Sequence, residues 1–505
     1  MLIIKTYKNE YSSFLKKVNL KRILLYFITS ILALVGLTLS LTFRTPAPTS
    51  KPDTDFVLKG ILVFDPKTNR FDRLDLRFEN SKIAEVSDSS SSTNSEFSNM
   101  TATPGLADMH AHLPPNNLLD LIPYFSLLYL SHGVTVLRVA GDIDGTSVPY
   151  AKDGISKNLF FGPKIFSCDA FVTAGIPRWK NSIVVESPEQ AAQAVRTLEA
   201  KGADCIKSYE NLTVPMIRAL VKSAQERNLT VLGHVPFGLT YEEASIPDVQ
   251  HFFGVPRPDS IEKNTVVHRG SDWENVDEKL LNDIVIFSKL NRIANTPTLV
   301  ASERLLSFLD YDSALLQPSV LFMPRFFREI VWNPIHGIPA YRNLDPAYLR
   351  ENVEKALRKK MRLVYKLFQA GAELRLGSDT QQPFVVPGDS LQREMKLFQK
   401  AGIPSEEVWN LATIKAHESL KNFDSFRIRP GTSPDLLLFR KNPVSNLENL
   451  SSLYAVVAQG RLYRKKDLDL LLEEHKRRFE NPIYETISFW LGKIVLEKQT
   501  KEFQN

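Results

Sequence analysis

Cysteine is nearly absent: Cys168 and Cys205 are the two in 505 residues. Two thiols cannot build the disulfide framework of a small secreted domain, and their spacing offers no zinc-type Cys pair. We read them as isolated thiols, with Cys205 in a strand two residues before Lys207. Excess charge is lacking too, once its location is considered. The net charge is +6, but residues 1–22 hold Lys5, Lys8, Lys16, Lys17, Lys21 and Arg22 against Glu10. That head carries +5 and the rest of the chain only +1, so no broad basic surface exists for nucleic acid and no nucleic-acid partner is expected. The third absence is of any charge over the 21 residues Ile23–Phe43. At 1.5 Å per residue a helix of that length spans about 30 Å, the thickness of a bilayer core. A cleaved signal peptide is the alternative. Its apolar region usually runs only about 7–15 residues and ends at a small-residue cleavage site, which Leu37-Thr38-Leu39-Ser40-Leu41-Thr42 does not offer. The reading is an uncleaved single-pass anchor. Its basic flank places the N-terminus in the cytoplasm and the bulk of the chain outside the membrane. The Pro/Ser/Thr-rich Thr45–Thr54 reads as a tether.

What remains is a substantial globular chain, since 43% of its residues are apolar, enough for a large core. Phe56–Phe64, Leu74–Phe78 and Lys82–Val86 read as short strands without helices between them, followed by the Ser-rich loop Ser87–Ser95. Similar strands return at Leu436–Phe439 and Tyr454–Ala458, which predicts a small β-sandwich domain made from both chain ends, 56–103 with 420–465. Between them strand and helix signals alternate. Gly133–Val139, Cys205–Ser208, Thr230–Gly233 and Leu374–Leu376 read as strands, and Pro188–Lys201 (Ser187 as N-cap), Val214–Asn228 and Leu349–Ala370 as helices. Alternation over 104–419 predicts an α/β fold, a parallel (β/α)8 TIM barrel. About 252–345 is too long for one connection. A barrel strand is expected near Thr296–Val300, with the remainder an insertion over the barrel mouth that covers substrate. The tail, 466–505, is expected to be helical, with Ile483–Leu496 packing on the core or touching the membrane surface.

Five short segments carry metal-ligand residue types in order, each at or just after a strand-like run: Asp108-Met109-His110-Ala111-His112, then Lys207, His234, His251 and Asp379. Barrel enzymes collect their chemistry at the C-terminal ends of the strands. His110 and His112 share one face of a strand by its period of two, so two imidazoles can grip one ion. A lone H-x-H pair is common; the ordered set is what raises it above core packing. Asp108 is placed to orient the histidine rings. Lys207 is either an ion-pair partner at the barrel mouth or, in the preferred reading, a carbamate formed with CO₂ that bridges ions. Asp379 is expected to ligate and to act as general base. Asp389 and Glu394 read as structural. His132, His268, His336, His417 and His475 read as solvated or capping residues, with His268 and His336 near enough in the insertion to reach substrate.

Thr103-Pro104-Gly105-Leu106-Ala107-Asp108-Met109-His110-Ala111-His112, Gly202-Ala203-Asp204-Cys205-Ile206-Lys207, Gly233-His234-Val235-Pro236, Val249-Gln250-His251 and Gly377-Ser378-Asp379 together resemble the amidohydrolase superfamily, in its imidazolonepropionase-like and Xaa-Pro dipeptidase-like branch. The ending Ile428-Arg429-Pro430-Gly431-Thr432-Ser433-Pro434-Asp435-Leu436 resembles it as well, and the likeness runs from about Phe56 to Arg464. The resemblance implies a (β/α)8 barrel with a flanking β-sandwich. It implies one or two ions, Zn²⁺ or another divalent metal, on His110, His112, Lys207, His234, His251 and Asp379, with Asp379 the proton acceptor. Two positions depart from it. Val136–Asp142 lacks an Arg-Asp pair common after the second strand, and Gln250 stands where Glu is frequent. The expected activity is hydrolysis of a C–N bond in an amide, cyclic amide or dipeptide, acting on a small molecule or short peptide, in a possible homo-oligomer. Ester or phosphoester hydrolysis, and an inactive membrane-tethered binding protein, are the alternatives.

Overall fold

The computed structural model describes residues 20–48, 50–89 and 95–504. Most of the expected basic head, residues 1–19, lies outside them, as do positions 90–94 of the Ser-rich loop. The chain opens with the helix Leu20–Phe43, whose apolar stretch Arg22–Phe43 is long enough to cross a membrane. Its last turn touches the body: Thr42 and Phe43 are buried.

Strands β1 (Phe56–Asp65), β2 (Arg70–Glu79), β3 (Lys82–Asp88) and β4 (Thr101–Pro104) follow. Next come β5 (Leu106–Ala111), β6 (Val134–Val139), β7 (Lys164–Ser167), β8 (Phe171–Thr173) and β9 (Ser182–Val184). Then β10 (Cys205–Ser208), β11 (Thr230–Gly233), β12 (Asp248–Gln250), β13 (Ala294–Thr296) and, near the end, β14 (Leu436–Phe439), β15 (Leu453–Ala458) and β16 (Arg461–Arg464). The two chain ends meet in one seven-stranded sheet, β16-β15-β14-β4-β1-β2-β3. Its core includes Leu58, Ile61, Leu76, Phe78, Leu436 and Val457.

The middle of the chain is parallel throughout. One sheet runs β5-β6-β7 and another β13-β12-β11-β10-β8-β9. Helices cover these strands, so β5, β6 and β10 are buried along their whole length, as parallel strands are. The two sheets meet where Asp204 N–H donates to Ser167 O (2.7 Å) and its carboxylate accepts from Ser167 N–H (2.8 Å). Beyond β13, Leu374 bridges Asn295 in parallel, and Met109 N–H donates to Leu376 O (2.9 Å). Residues 374–376 thus stand between β13 and β5. Helix Pro188–Ala200 begins as expected, with Ser187 accepting from Gln190 N–H (3.3 Å).

Three expectations are corrected. Cys168 and Cys205 are not isolated thiols; they form a disulfide, with 4.3 Å between Cα atoms. The Ser167–Asp204 hydrogen bonds bring the end of β7 beside the start of β10, an adjacency that spacing along the chain does not reveal. The strand expected at Thr296–Val300 ends at Thr296 instead, and Leu299–Arg304 is helical. Pro297 has no N–H for a ladder, and Thr298 turns the chain at φ 47°. Thr45–Thr54 is no free tether. Thr45 bonds the Asp120 carboxylate and accepts from Arg478 (3.2 Å), while Asp53 exchanges backbone hydrogen bonds with Leu462 and pairs with Arg464 (2.6 Å).

Candidate metal centre

His110 lies in β5, His112 one residue past it, Lys207 in β10, and His234 directly after β11. His251 directly follows β12, and Asp379 comes three residues after Leu376. All six line one cavity of about 520 Å³. Asp379 Oδ1 lies 3.3 Å from His110 Nε2 and 3.5 Å from His112 Nε2, and Oδ2 lies 3.9 Å from His251 Nδ1. These separations sit at or beyond the outer edge of N–H···O bonding: the groups converge on a point without satisfying one another. Among the described residues, His110, His251 and Asp379 offer ligand atoms close enough together for one divalent ion. The His234 ring stands 5.1 Å from that of His251.

Burial lowers all four imidazoles below their usual pKa, His110, His234 and His251 well below. Neutral rings are the form that binds a metal. Second partners fix three of them. His112 Nδ1 lies 3.1 Å from Gly141 O, His234 Nδ1 2.8 Å from Glu210 Oε1, and His251 Nδ1 2.6 Å from Thr298 Oγ1. Glu210 is held in turn by Arg269 (2.7 Å). His110 Nδ1 is buried with no hydrogen-bond partner. Lys207 is about 1% exposed, donates to Gln250 Oε1 (3.2 Å), and burial brings its pKa down to about 7.

The backbone is bent to make this arrangement. His251, Thr298 and Asp379 all take positive φ, 60°, 47° and 58°, a conformation that strains residues with a side chain and that concentrates at functional sites. Gly377 permits the approach of β5: a Cβ there would stand 2.6 Å from His110 Cβ. Asp379 N–H then donates to His110 O (2.7 Å).

Asp108 works differently from expectation. Its carboxylate takes the backbone N–H of His110 (3.2 Å), the N–H of Ser378 (3.0 Å) and the Ser378 hydroxyl (2.5 Å), not a histidine ring. It ties β5 to the segment carrying Asp379, and burial pushes its pKa to about 7. Arg138, on β6, donates to Met109 O (2.7 Å) and pairs with Asp248 (2.7 Å), which also holds Arg375 (2.5 Å). Burial would raise Asp248, but the two guanidiniums outweigh it and keep the carboxyl well below its usual range.

Glu394 is structural, as expected, accepting from Leu299 and Val300 N–H (3.0 and 2.7 Å), and Asp389 pairs with Arg304 (3.5 Å). His132 caps its helix through Leu128 O (2.8 Å). His417 and His475 are buried rather than solvated. His417 reaches Gly105 O (3.1 Å), and His475 stacks near Tyr124. His268 and His336 do not line the cavity. Glu210 and Thr298 escaped the sequence reading. Both lie just past a strand end, the same position that marked the histidines.

A family model described as the amidohydrolase family matches residues 101–463. The chain belongs to the amidohydrolase family. Members of this family typically bind a divalent metal. No curated protein matches this amidohydrolase, but solved structures share its fold. Bottromycin amidohydrolase is 22% identical, with a TM-score of 0.65 over 88% of this chain and 92% of the other. A Xaa-Pro dipeptidase with bound methionine is 18% identical, with a TM-score of 0.57 over 80% and 98%. A putative prolidase from Bifidobacterium longum is 20% identical, with a TM-score of 0.57 over 84% and 99%.

Proposed function

We propose that this amidohydrolase is a membrane-anchored, metal-dependent enzyme that hydrolyses a C–N bond in an amide, cyclic amide or short peptide. Its scaffold in this reading is a (β/α)8 barrel over 104–419 with the insertion 252–345, flanked by a small sandwich-like domain from 56–103 and 420–465. The carrying observation is the convergence of His110, His251 and Asp379, with His112 Nε2 3.5 Å from the same carboxylate, in a cavity that His234 and Lys207 also line.

The donor set fits one or two divalent ions such as Zn²⁺. Imidazole nitrogens kept neutral by burial stand beside a carboxylate, with His110 Nε2 3.3 Å from Asp379 Oδ1. The ligands in this reading are His110, His112, Lys207, His234, His251 and Asp379. When bound, such an ion polarises a carbonyl and lowers the pKa of water. Lys207 joins as a carbamate: its amine attacks CO₂, a proton leaves, and an oxygen donor replaces the ammonium. Its burial supports this, because among the described residues no carboxylate stands within ion-pair distance of its amine. Thr298 and Glu210 hold the rings of His251 and His234 in orientation. Asp379 takes the proton of the attacking water and delivers it to the leaving nitrogen. Arg138, Asp248 and Arg375 keep the strand ends in register beneath them.

The anchor reading rests on the apolar helix ending at Phe43, which exposes Ile23, Leu24, Tyr26, Leu32 and Leu34 among others. The Cys168–Cys205 disulfide supports a catalytic body outside the cytoplasm, because such bonds persist in oxidising compartments. The test is to purify the full chain in detergent, measure its metal, and screen dipeptides, cyclic amides and N-acyl amines. Bound divalent metal and metal-dependent amine release are expected. A metal-free protein that gains no activity on metal addition, or one that cleaves only esters, overturns the reading.

A further inference from the structure

The cavity has two unlike ends. Its floor is the histidine–carboxylate cluster. Its outer walls are apolar, supplied by Phe326, Phe327 and Val331 of the insertion and by Leu491, Val495 and Leu496 of the C-terminal helix Pro482–Gln504. The exposed members of the lining, Pro115, Asn117, Leu118, Arg178 and Val495, mark the mouth. Leu118 is 59% exposed and Val495 53%.

That mouth lies where the N-terminal helix reaches the body. Phe43 packs on Tyr484 with ring centroids 5.1 Å apart. Tyr484 donates to Leu119 O (3.0 Å), and Arg478 donates to Thr45 and to Leu119 O. Leu119 is the neighbour of Leu118 at the mouth. The C-terminal helix also exposes Ile483, Trp490 and Ile494 along one side, with the half-buried Ile487 between them at spacings of three and four. Trp490 is 62% exposed and Ile494 42%. A helix apolar on both faces suits core or membrane, and a surface helix with Trp on its apolar side suits the bilayer interface. With no slack between Phe43 and the body, an inserted anchor holds this stripe and the mouth at the bilayer.

We propose that the substrate is an amide bearing a long aliphatic chain, taken from the bilayer. Its amide rests on the cluster, and its chain lies between the insertion and the C-terminal helix. This deepens the proposed function and rests on it. Hydrolysis adds water across the C–N bond to give the fatty acid and the amine.

The test uses the full chain with bound metal and a series of N-acyl amines of one amine and acyl chains from two to sixteen carbons. With monomeric substrates, kcat/KM should rise about fourfold per added methylene until the walls are filled, as burial of a methylene implies. Leu491→Trp should shorten the preferred chain. Trp490→Ser with Ile494→Ser lies outside the cavity: it should leave the acetyl amide rate unchanged and lower, about tenfold or more, turnover of the long-chain amide in phosphatidylcholine vesicles. Equal kcat/KM for short and long chains, or vesicle turnover untouched by the double variant, overturns the proposal while leaving amide hydrolysis intact. Failure to cleave any amide, short ones included, sinks the underlying reading as well.

Discussion

The inner and outer halves of the cavity are built on opposite terms. The inner half comes from short buried strand ends, β5, β10, β11 and β12, where polar side chains hold one another: Glu210 for His234, Thr298 for His251, Gln250 for Lys207. The outer half comes from two segments far apart in the chain, the insertion and the C-terminal helix, which meet through apolar side chains and the Arg325–Glu485 pair at 2.9 Å, 160 positions apart. Chemistry is fixed by repeated units of the fold; what reaches the chemistry is fixed by additions to it.

The sharpest way to break this division is to strip the inner half of metal. Chelation should abolish turnover for every chain length, and a divalent ion should restore it; a rate that survives exhaustive chelation would remove the metal from the chemistry. Next in size is Asp379→Asn. It should keep the fold by circular dichroism and lower kcat about 10²-fold or more, equally for short and long amides. A loss confined to long chains would show Asp379 acting on binding rather than on proton transfer. Glu210→Gln acts one step removed. It should weaken metal affinity about 10- to 100-fold, measured by titration with a competing chelator, and excess metal should recover activity.

The smallest effect lies beside the outer half, in the helix Lys465–Phe479 that carries His475, and is read by pH. Burial, with Arg478 nearby, lowers His475 from 6.5 to about 3. Between those values the unfolded chain binds the extra proton, so stability falls as pH drops from about 6.5 toward 3. His475→Gln should reduce the pH slope of unfolding in that window by about one proton, read from denaturant titrations. An unchanged slope would mean that His475 is not buried in solution.

The inner half was legible in the sequence because its signals are local. A side chain placed at a strand end needs only an apolar run and the next residue, and the structure brings His110, His112, Lys207, His234, His251 and Asp379, all placed that way, to one cavity. Glu210 is placed so too, three residues past Lys207, but a carboxylate in a loop has too many ordinary uses to stand out. The strand at Ala294–Thr296 was misplaced because Thr298-Leu299-Val300 continues the apolar run, and only the Pro297 break and the left-handed turn at Thr298 show where it stops. The sequence predicts an insertion over the mouth, but neither the disulfide nor the meeting of that insertion with the C-terminal helix was legible. Both depend on which distant segments become neighbours, and the attachments of Thr45 and Asp53 depend on partners at Asp120, Leu462 and Arg464.

The Cys168–Cys205 bond has a consequence beyond holding two strands together. It closes the chain between them, including β8, β9 and the helix Pro188–Ala200, into a ring spanning 37 positions. In the chain-entropy account a ring of that size disfavours the unfolded ensemble by about 3–4 kcal/mol. Lys207 sits two residues outside the closure, on the strand it pins. A copy of the protein whose thiols are reduced has the same sequence but lacks that ring, so its unfolded chain is freer and its folded body correspondingly less favoured.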